Sequence, residues 1–183
     1  MKNALFAAPA LVLLLSMQAD AAAPDTPLAT IPSLDLKRYA GTWYEIAKFP
    51  NSFQDKCVGF TTATYSARPD GRVDVVNRCR RKDGDNDVAE GVARQPEGPA
   101  SPKLEVRFAP AIVSFLPMVW GDYWVIDLDA GYTLAAVSEP KREYLWILSR
   151  TPTVDPAAYD ALLKRLATQG LDMKRLAPTK QAP

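Results

Sequence analysis

From residue 42 to residue 149 the chain is a succession of short stretches in which apolar and polar side chains alternate, each closed by a cluster of turn-forming residues. A period of two marks a strand with one buried face. Clusters such as Arg68-Pro69-Asp70-Gly71, Lys82-Asp83-Gly84-Asp85-Asn86, Gln95-Pro96-Glu97-Gly98-Pro99 and Ser138-Glu139-Pro140 reverse the chain between strands. The spacing predicts strands over 42–49, 59–67, 72–79, 87–94, 103–108, 123–127, 132–138 and 144–149. Eight strands with mostly short links make an antiparallel meander, and eight is a number at which a sheet closes on itself around one small ligand. The expected fold is all-β, an eight-stranded antiparallel up-and-down β-barrel.

The period changes after residue 155. Tyr159, Leu162, Leu163 and Leu166 recur at helical spacing, Asp155 stands where an N-cap belongs, Pro156 opens the first turn and Gly170 follows as a stop. This C-terminal helix has one apolar face and must lie on something apolar. The strands containing Ile126, Leu145 and Ile147 are apolar on both faces, so the helix is expected to flank the outside of the barrel there. Lys103-Leu104-Glu105-Val106-Arg107-Phe108 alternates cleanly, which turns Leu104, Val106 and Phe108 inward and the charges to water.

The start of the chain has a different character. Met1-Lys2-Asn3, an apolar run over 4–17 and Ala19-Asp20-Ala21-Ala22-Ala23 have the layout of a secretory signal, expected to be cut near Ala21 to Ala23 and so to occupy 1–22. The run is shorter than the roughly 20 apolar residues of a membrane span, and the mature chain is expected to be soluble. Export puts Cys57 and Cys79, the two cysteines of the chain, in an oxidising compartment where a disulfide between them is expected. With 22 Lys and Arg against 21 Asp and Glu, the chain lacks the basic surplus of a nucleic-acid binder. Histidine is absent, which excludes histidine triads, imidazole-bound zinc and histidine-ligated haem. No cofactor and no metal is expected.

Three motifs in this frame carry a family resemblance. Gly41-Thr42-Trp43 opens the first strand and continues as Tyr44-Glu45-Ile46; Asp127-Leu128-Asp129-Ala130-Gly131-Tyr132 forms an acidic turn between strands six and seven; Leu145-Trp146-Ile147-Leu148-Ser149-Arg150-Thr151-Pro152 places a basic residue after the last strand. With the terminal helix, these make the chain resemble the lipocalins, in particular the bacterial lipocalin and apolipoprotein D branch, with a domain over about 34–177. The resemblance implies that Gly41, Trp43, Asp129, Tyr132 and Arg150 are structural, Arg150 lying across the Trp43 ring at the closed end of the barrel. Many bacterial members of the branch are tethered by lipid on an N-terminal cysteine, and no cysteine follows the apolar run here, so anchoring is not carried over. The expected location is exported, periplasmic or otherwise in the cell envelope, without a lipid anchor.

If Trp43 begins its strand at the closed end, the loops over 49–58, 80–86, 109–122 and 138–143 gather at the open end. Cys57 and Cys79 both belong there, about three positions out of register, so their bridge requires a bulge or a bent strand end. The segment 109–121 is unusually apolar and is expected either to fold over the mouth as a lid or to present a docking surface. Arg78, Arg80, Arg81, Lys82, Lys141 and Arg142 are either a solvated face or a cationic rim suited to an amphiphile with an anionic head. Alternation and the resemblance together assign the cavity wall to Glu45, Ala47, Phe60, Thr62, Val73, Val75, Leu104, Val106, Phe108, Tyr123, Val125, Tyr144 and Trp146.

The function expected from this is binding without chemistry: transport or sequestration of fatty acids, lysophospholipids or similar molecules. A second reading is an enzyme on the same barrel, with Glu45 as acid or base beside Tyr123 or Tyr144. Against it, a buried Glu45 paired with an arginine or a hydroxyl is the commoner arrangement. A third reading uses the 109–121 loop for peripheral membrane contact or a homodimer.

Overall fold

The computed structural model describes residues 26–181, and the leader expected over 1–22 lies outside them. Among the described residues the sheet has nine strands: β1 (Gly41–Lys48), β2 (Cys57–Ala67), β3 (Val73–Arg81), β4 (Asn86–Arg94), β5 (Lys103–Arg107), β6 (Gly121–Leu128), β7 (Leu134–Ser138), β8 (Leu145–Ser149) and β9 (Ala177–Pro178). Each of the first seven pairs antiparallel with the next, and β1 pairs with both β8 and β2, closing the barrel. All eight expected strands are present. No boundary shifts by more than two residues; β7 starts at Leu134, two residues later than the alternation suggests. Tyr132 has φ of 58°, and the Asp129 carboxylate gathers the backbone N–H groups of Gly131, Thr133 and Leu134 into a turn. Burial alone would raise the Asp129 carboxyl, but those donors outweigh it and hold the group below the ordinary carboxylate range.

Two bulges decide which residues face inward. In β1, Glu45 lies opposite Leu148 while Ala47 lies opposite Ile147, so Ile46 is the extra residue. Beyond it the alternation inverts. Ala47 is therefore not a cavity residue as expected; it is buried on the outer face, against Ile147 and Leu166. In β2, the register slips twice between Cys57 and Thr62, where Gly59 has φ of 140° and Phe60 φ of 55°. Phe60 is consequently not a cavity residue either, and its ring lies near the Arg80 guanidinium at 5.8 Å and the Lys180 ammonium at 6.0 Å.

The α-helix α2 (Pro156–Thr168) is capped by the Asp155 carboxylate, which accepts from Ala158 N at 2.9 Å. Leu162 and Leu166 are fully buried against Ile126, Leu134, Ala136, Leu145 and Ile147, each contributing about 1.5–3 kcal/mol. A bidentate pair from Arg165 to Asp127 on β6 (2.7 and 2.9 Å) fixes the helix axis. A short helix α1 (Leu36–Tyr39), begun by the Asp35 side chain, has no apolar periodicity long enough to announce it. It carries Tyr39 across the closed end.

The β1–β2 ladder runs only from Gly41↔Tyr65 to Tyr44↔Thr62. Above that level the two strands part and the segment after α2 lies between them. β9 pairs with Ala47 and Lys48, Thr179 N donates to Ile46 O, Phe60 N donates to Lys180 O, and the Gln181 amide donates to both Glu45 O and Thr61 O. Gly59 is required here, because a β-carbon on it would stand 2.6 Å from Lys180 O.

Candidate ligand-binding site

The closed end is built around Trp43, which is completely buried and donates its indole N–H to Tyr39 O at 2.8 Å. The Arg150 guanidinium stacks 4.0 Å from the Trp43 ring and donates to the carbonyls of Arg38, Tyr39, Thr42 and Tyr132. Gly41, at φ of 96°, lets Arg150 pass, since a β-carbon there would lie 3.2 Å from its Nη1. Tyr132 receives a hydrogen bond from Asp35 N, and the Arg38 guanidinium covers its ring at 3.9 Å. One arginine thus ties α1, β1 and the β6–β7 turn into a floor.

Above the plug lie three tyrosines, Tyr39 and Tyr65 buried and Tyr123 half-buried at the base of the cavity. The Tyr123 hydroxyl sits between those of Tyr39 (2.9 Å) and Tyr65 (2.8 Å). Burial raises all three phenols: Tyr65 to about 12, and Tyr39 and Tyr123 well above their ordinary value. They are neutral in the fold, whereas in the unfolded chain they ionise near pH 10. A folded value raised above the unfolded one gives stability that is complete below pH 10 and declines as pH rises above it. Urea midpoints should fall from pH 9 to pH 11, and Tyr123→Phe should flatten that fall. An equally steep fall in the variant would contradict this account.

From this tyrosine layer a cavity of about 810 Å³ opens upward. Its lower wall is apolar, with Ala63, Val75, Ala89, Val106 and Leu148. Higher, Tyr144 and Trp146 stack with ring centres 5.8 Å apart and Phe53 leans on both, forming an aromatic side to the mouth. Of the residues expected to line the cavity, Glu45, Thr62, Val75, Val106, Phe108, Tyr123, Tyr144 and Trp146 are found on it. Val73, Leu104 and Val125 also belong to the inner core but lie beneath the tyrosine layer, where Tyr39, Val75 and Ala93 fill the tapering end; Val73 and Leu104 border only a residual space of about 10 Å³, Val125 is fully buried, and none of the three lines the large cavity. That is a correction of depth, which alternation does not encode.

Glu45 is buried and held by three donors: Lys48 Nζ at 2.9 Å, Gln54 Nε2 at 2.8 Å and Thr179 Oγ1 at 2.6 Å. Gln54 also accepts from Trp146 Nε1 at 3.0 Å, which connects the carboxylate to the mouth. Among the described residues neither Tyr123 nor Tyr144 is hydrogen-bonded to Glu45. Sequence reasoning passed over Gln54, because a polar residue in a loop gives no periodic signal. It also passed over Asn77, although the inward parity of Val73 and Val75 continues through Asn77 to Cys79. Parity through Trp146 points to Leu148 in the same way.

The mouth is closed on one side by the Cys57–Cys79 disulfide, with Cα atoms 5.6 Å apart. Cys57 stands opposite Arg81, two residues from Cys79, a position reached through the β2 bulges. The six basic residues divide. Arg78 and Lys141 are on the cavity, Arg81 pairs with Asp83, and Arg142 turns away to the carbonyls of Gln169 and Thr26. Asp87, which pairs with Lys56, and Asp122, Glu139 and Glu143 also line the mouth, so the rim carries both signs. Burial, with Glu105 and Glu139 nearby, raises the Asp122 carboxyl.

The apolar loop divides as well. Val119 and Trp120 turn onto the cavity, and Trp120 donates to Ser114 O at 2.8 Å under the Arg94 guanidinium, 4.0 Å from the ring centre. Arg107, expected to face water, is buried beneath this loop, where it donates to Ala109 O and approaches Trp120. Ile112, Phe115 and Met118 face solvent at 82%, 77% and 86% exposure. The loop is a lid on its inner side and an open apolar surface on its outer side.

Residues 34–181 match the lipocalin-like domain family. Temperature-induced lipocalin-1 of Arabidopsis thaliana is 38% identical over 85% of this chain and 83% of its own length. Outer membrane lipoprotein Blc of Escherichia coli K12 is 37% identical over 86% and 85%, and mouse (Mus musculus) apolipoprotein D is 31% identical over 82% and 78%. Among solved structures, insecticyanin of the tobacco hornworm Manduca sexta superposes with a TM-score of 0.66 at 20% identity, covering 88% of this chain and 87% of that one. Lobster apocrustacyanin A1 gives 0.64 at 14%, covering 87% and 93%. At those identities the two structures speak to the fold alone.

Proposed function

The chain belongs to the lipocalin family, and from that premise we propose that it is a carrier of small hydrophobic or amphiphilic ligands such as fatty acids or lysophospholipids, acting in the cell envelope without chemistry of its own. The observation that carries this reading is the cavity of about 810 Å³, apolar at its base and polar at its rim. An acyl tail buried there gains about 0.8 kcal/mol per methylene, so eight methylenes give about 6 kcal/mol before ordering costs. Micromolar affinity corresponds to about 8 kcal/mol net, so further methylenes or the head group must contribute as well. Against an enzyme stand the absence of histidine and a Glu45 whose carboxylate is already held by three donors. The envelope location is supported by the apolar leader-like run over 4–17 and by the relative described as an outer membrane lipoprotein.

Mass spectrometry of protein isolated from the periplasm should find an acyl lipid bound, and added oleate should change the fluorescence of Trp120 and Trp146. A protein that binds neither a fatty acid nor a lysophospholipid is not this carrier. Bound ligand recovered unchanged after long incubation separates carrier from enzyme.

The outward apolar residues favour a second reading alongside the first, in which the mouth rests on a membrane while ligand passes. Ile112→Asp with Phe115→Asp should abolish flotation with liposomes and leave oleate binding in place. Flotation unaffected by the pair, or absent in the wild type, removes the membrane reading.

A further inference from the structure

Among the described residues the cavity wall contains two polar side chains with a buried atom that makes no hydrogen bond. Asn77 lies on the inner face of β3, directly opposite Ala63 on β2 and Ala89 on β4, and all three line the cavity. Its Oδ1 is shut off from solvent with no partner. Thr61, one parity step from Ala63 along β2, is 6% exposed and also lines the cavity, and its Oγ1 is likewise buried and unpartnered. A buried polar group left without its hydrogen bond is costly. Two of them on adjoining strands of one cavity, in a stretch flanked by Ala63, Val75 and Ala89, mark a place where an occupant completes the bonding once the amide and the hydroxyl turn toward it, since neither atom faces the open space as it stands.

The chemistry of the pair says what occupant. An asparagine amide offers a donor at one end and an acceptor at the other, and a half-turn about its last torsion exchanges them. A threonine hydroxyl both donates and accepts. A carboxylate, an ester or an ether only accepts, and satisfies at most half of this set. A hydroxyl donates and accepts at once, and so complements the pair whichever way the amide is turned. Asn77 stands two residues above Val75, which borders both the cavity and the filled end beneath it, so the polar point lies about 7 Å above the floor. A handful of methylenes fits below it.

Resting on the carrier reading above, we propose that Asn77 and Thr61 are specificity-determining residues that select an acyl ligand bearing a hydroxyl. The hydroxyl comes from either of two sources: part-way along a chain that enters tail first, or on the glycerol of an acylglycerol that enters head first. Ricinoleate against oleate tests the first source, and monooleoylglycerol against methyl oleate the second, each measured by displacement of a fluorescent fatty acid from the full-length protein. The wild type should prefer the hydroxylated member of at least one pair by roughly tenfold, and the pair that shows it names the source. Asn77→Leu should erase that preference. Thr61→Val should reduce it, and Thr61→Ser should keep it. Equal affinities within both pairs for the wild type, or a preference that survives Asn77→Leu and Thr61→Val, overturn the assignment, water then being the partner of both side chains. If none of the four ligands binds the wild type, the carrier reading itself fails, an outcome distinct from equal binding.

Discussion

Ala89→Trp is expected to abolish acyl-ligand binding while leaving the protein folded. Ala89 lies on the inner face of β4 opposite Asn77, and its small side chain is part of the reason that the cavity exists. An indole at that position projects into open space rather than into packed core, so the strain that usually follows enlargement of a buried residue is avoided. A ligand denied the space of about four methylenes loses about 3 kcal/mol, which is roughly a hundredfold in affinity. The urea midpoint should be unchanged or higher, because the new ring buries itself against Val75 and Val106. Unchanged oleate affinity in a folded Ala89→Trp protein would place the ligand outside the barrel and remove the cavity from the functional account.

Trp43→Ala is expected to have the opposite profile, a large loss of stability at a residue that touches no ligand. The side chain is fully buried, packs 4.8 Å from the Tyr39 ring and supports the Arg150 guanidinium at 4.0 Å. Truncating a buried tryptophan costs about 3–5 kcal/mol, to which the stacked cation adds about 1 kcal/mol. Against a domain stability of about 5–15 kcal/mol, that is about a quarter of the total or more. The urea midpoint should fall accordingly with the slope preserved. A shift of less than about 1 kcal/mol would mean that Arg150, through its four carbonyl contacts, holds the floor without the ring.

These residues also show what alternation encodes and what it does not. The eight strands, the flanking helix and the Trp43–Arg150 stack are all written in local pattern or motif, because period and turn chemistry are properties of neighbours in the chain. Facing was read correctly wherever a strand is regular, as at Val75 and Val106, and failed at Ala47 and Phe60, where one extra residue inverts the strand. Nothing in Glu45-Ile46-Ala47 announces the bulge, since it depends on the register of β8 against β1. Depth failed for a different reason: Leu104 and Val106 share a face and a strand, yet one is beneath the floor and the other on the wall, a distinction set by where Tyr123 ends. The short β9 was also illegible, because two residues have no period.

β9 and the tail that follows it give the container a shape that a closed eight-stranded sheet alone would not have. At the level of Trp43 the circumference is counted in eight strands; at the level of Glu45 the tail is interposed between β1 and β2 and the count is nine. One further strand spacing of about 4.8 Å widens the bore by roughly 1.5 Å. The vessel is therefore a tapered cup, narrow where a methyl end would be gripped and broader where a head group would sit. Guests that differ in girth near the head should be received more alike than guests that differ in thickness at the tip.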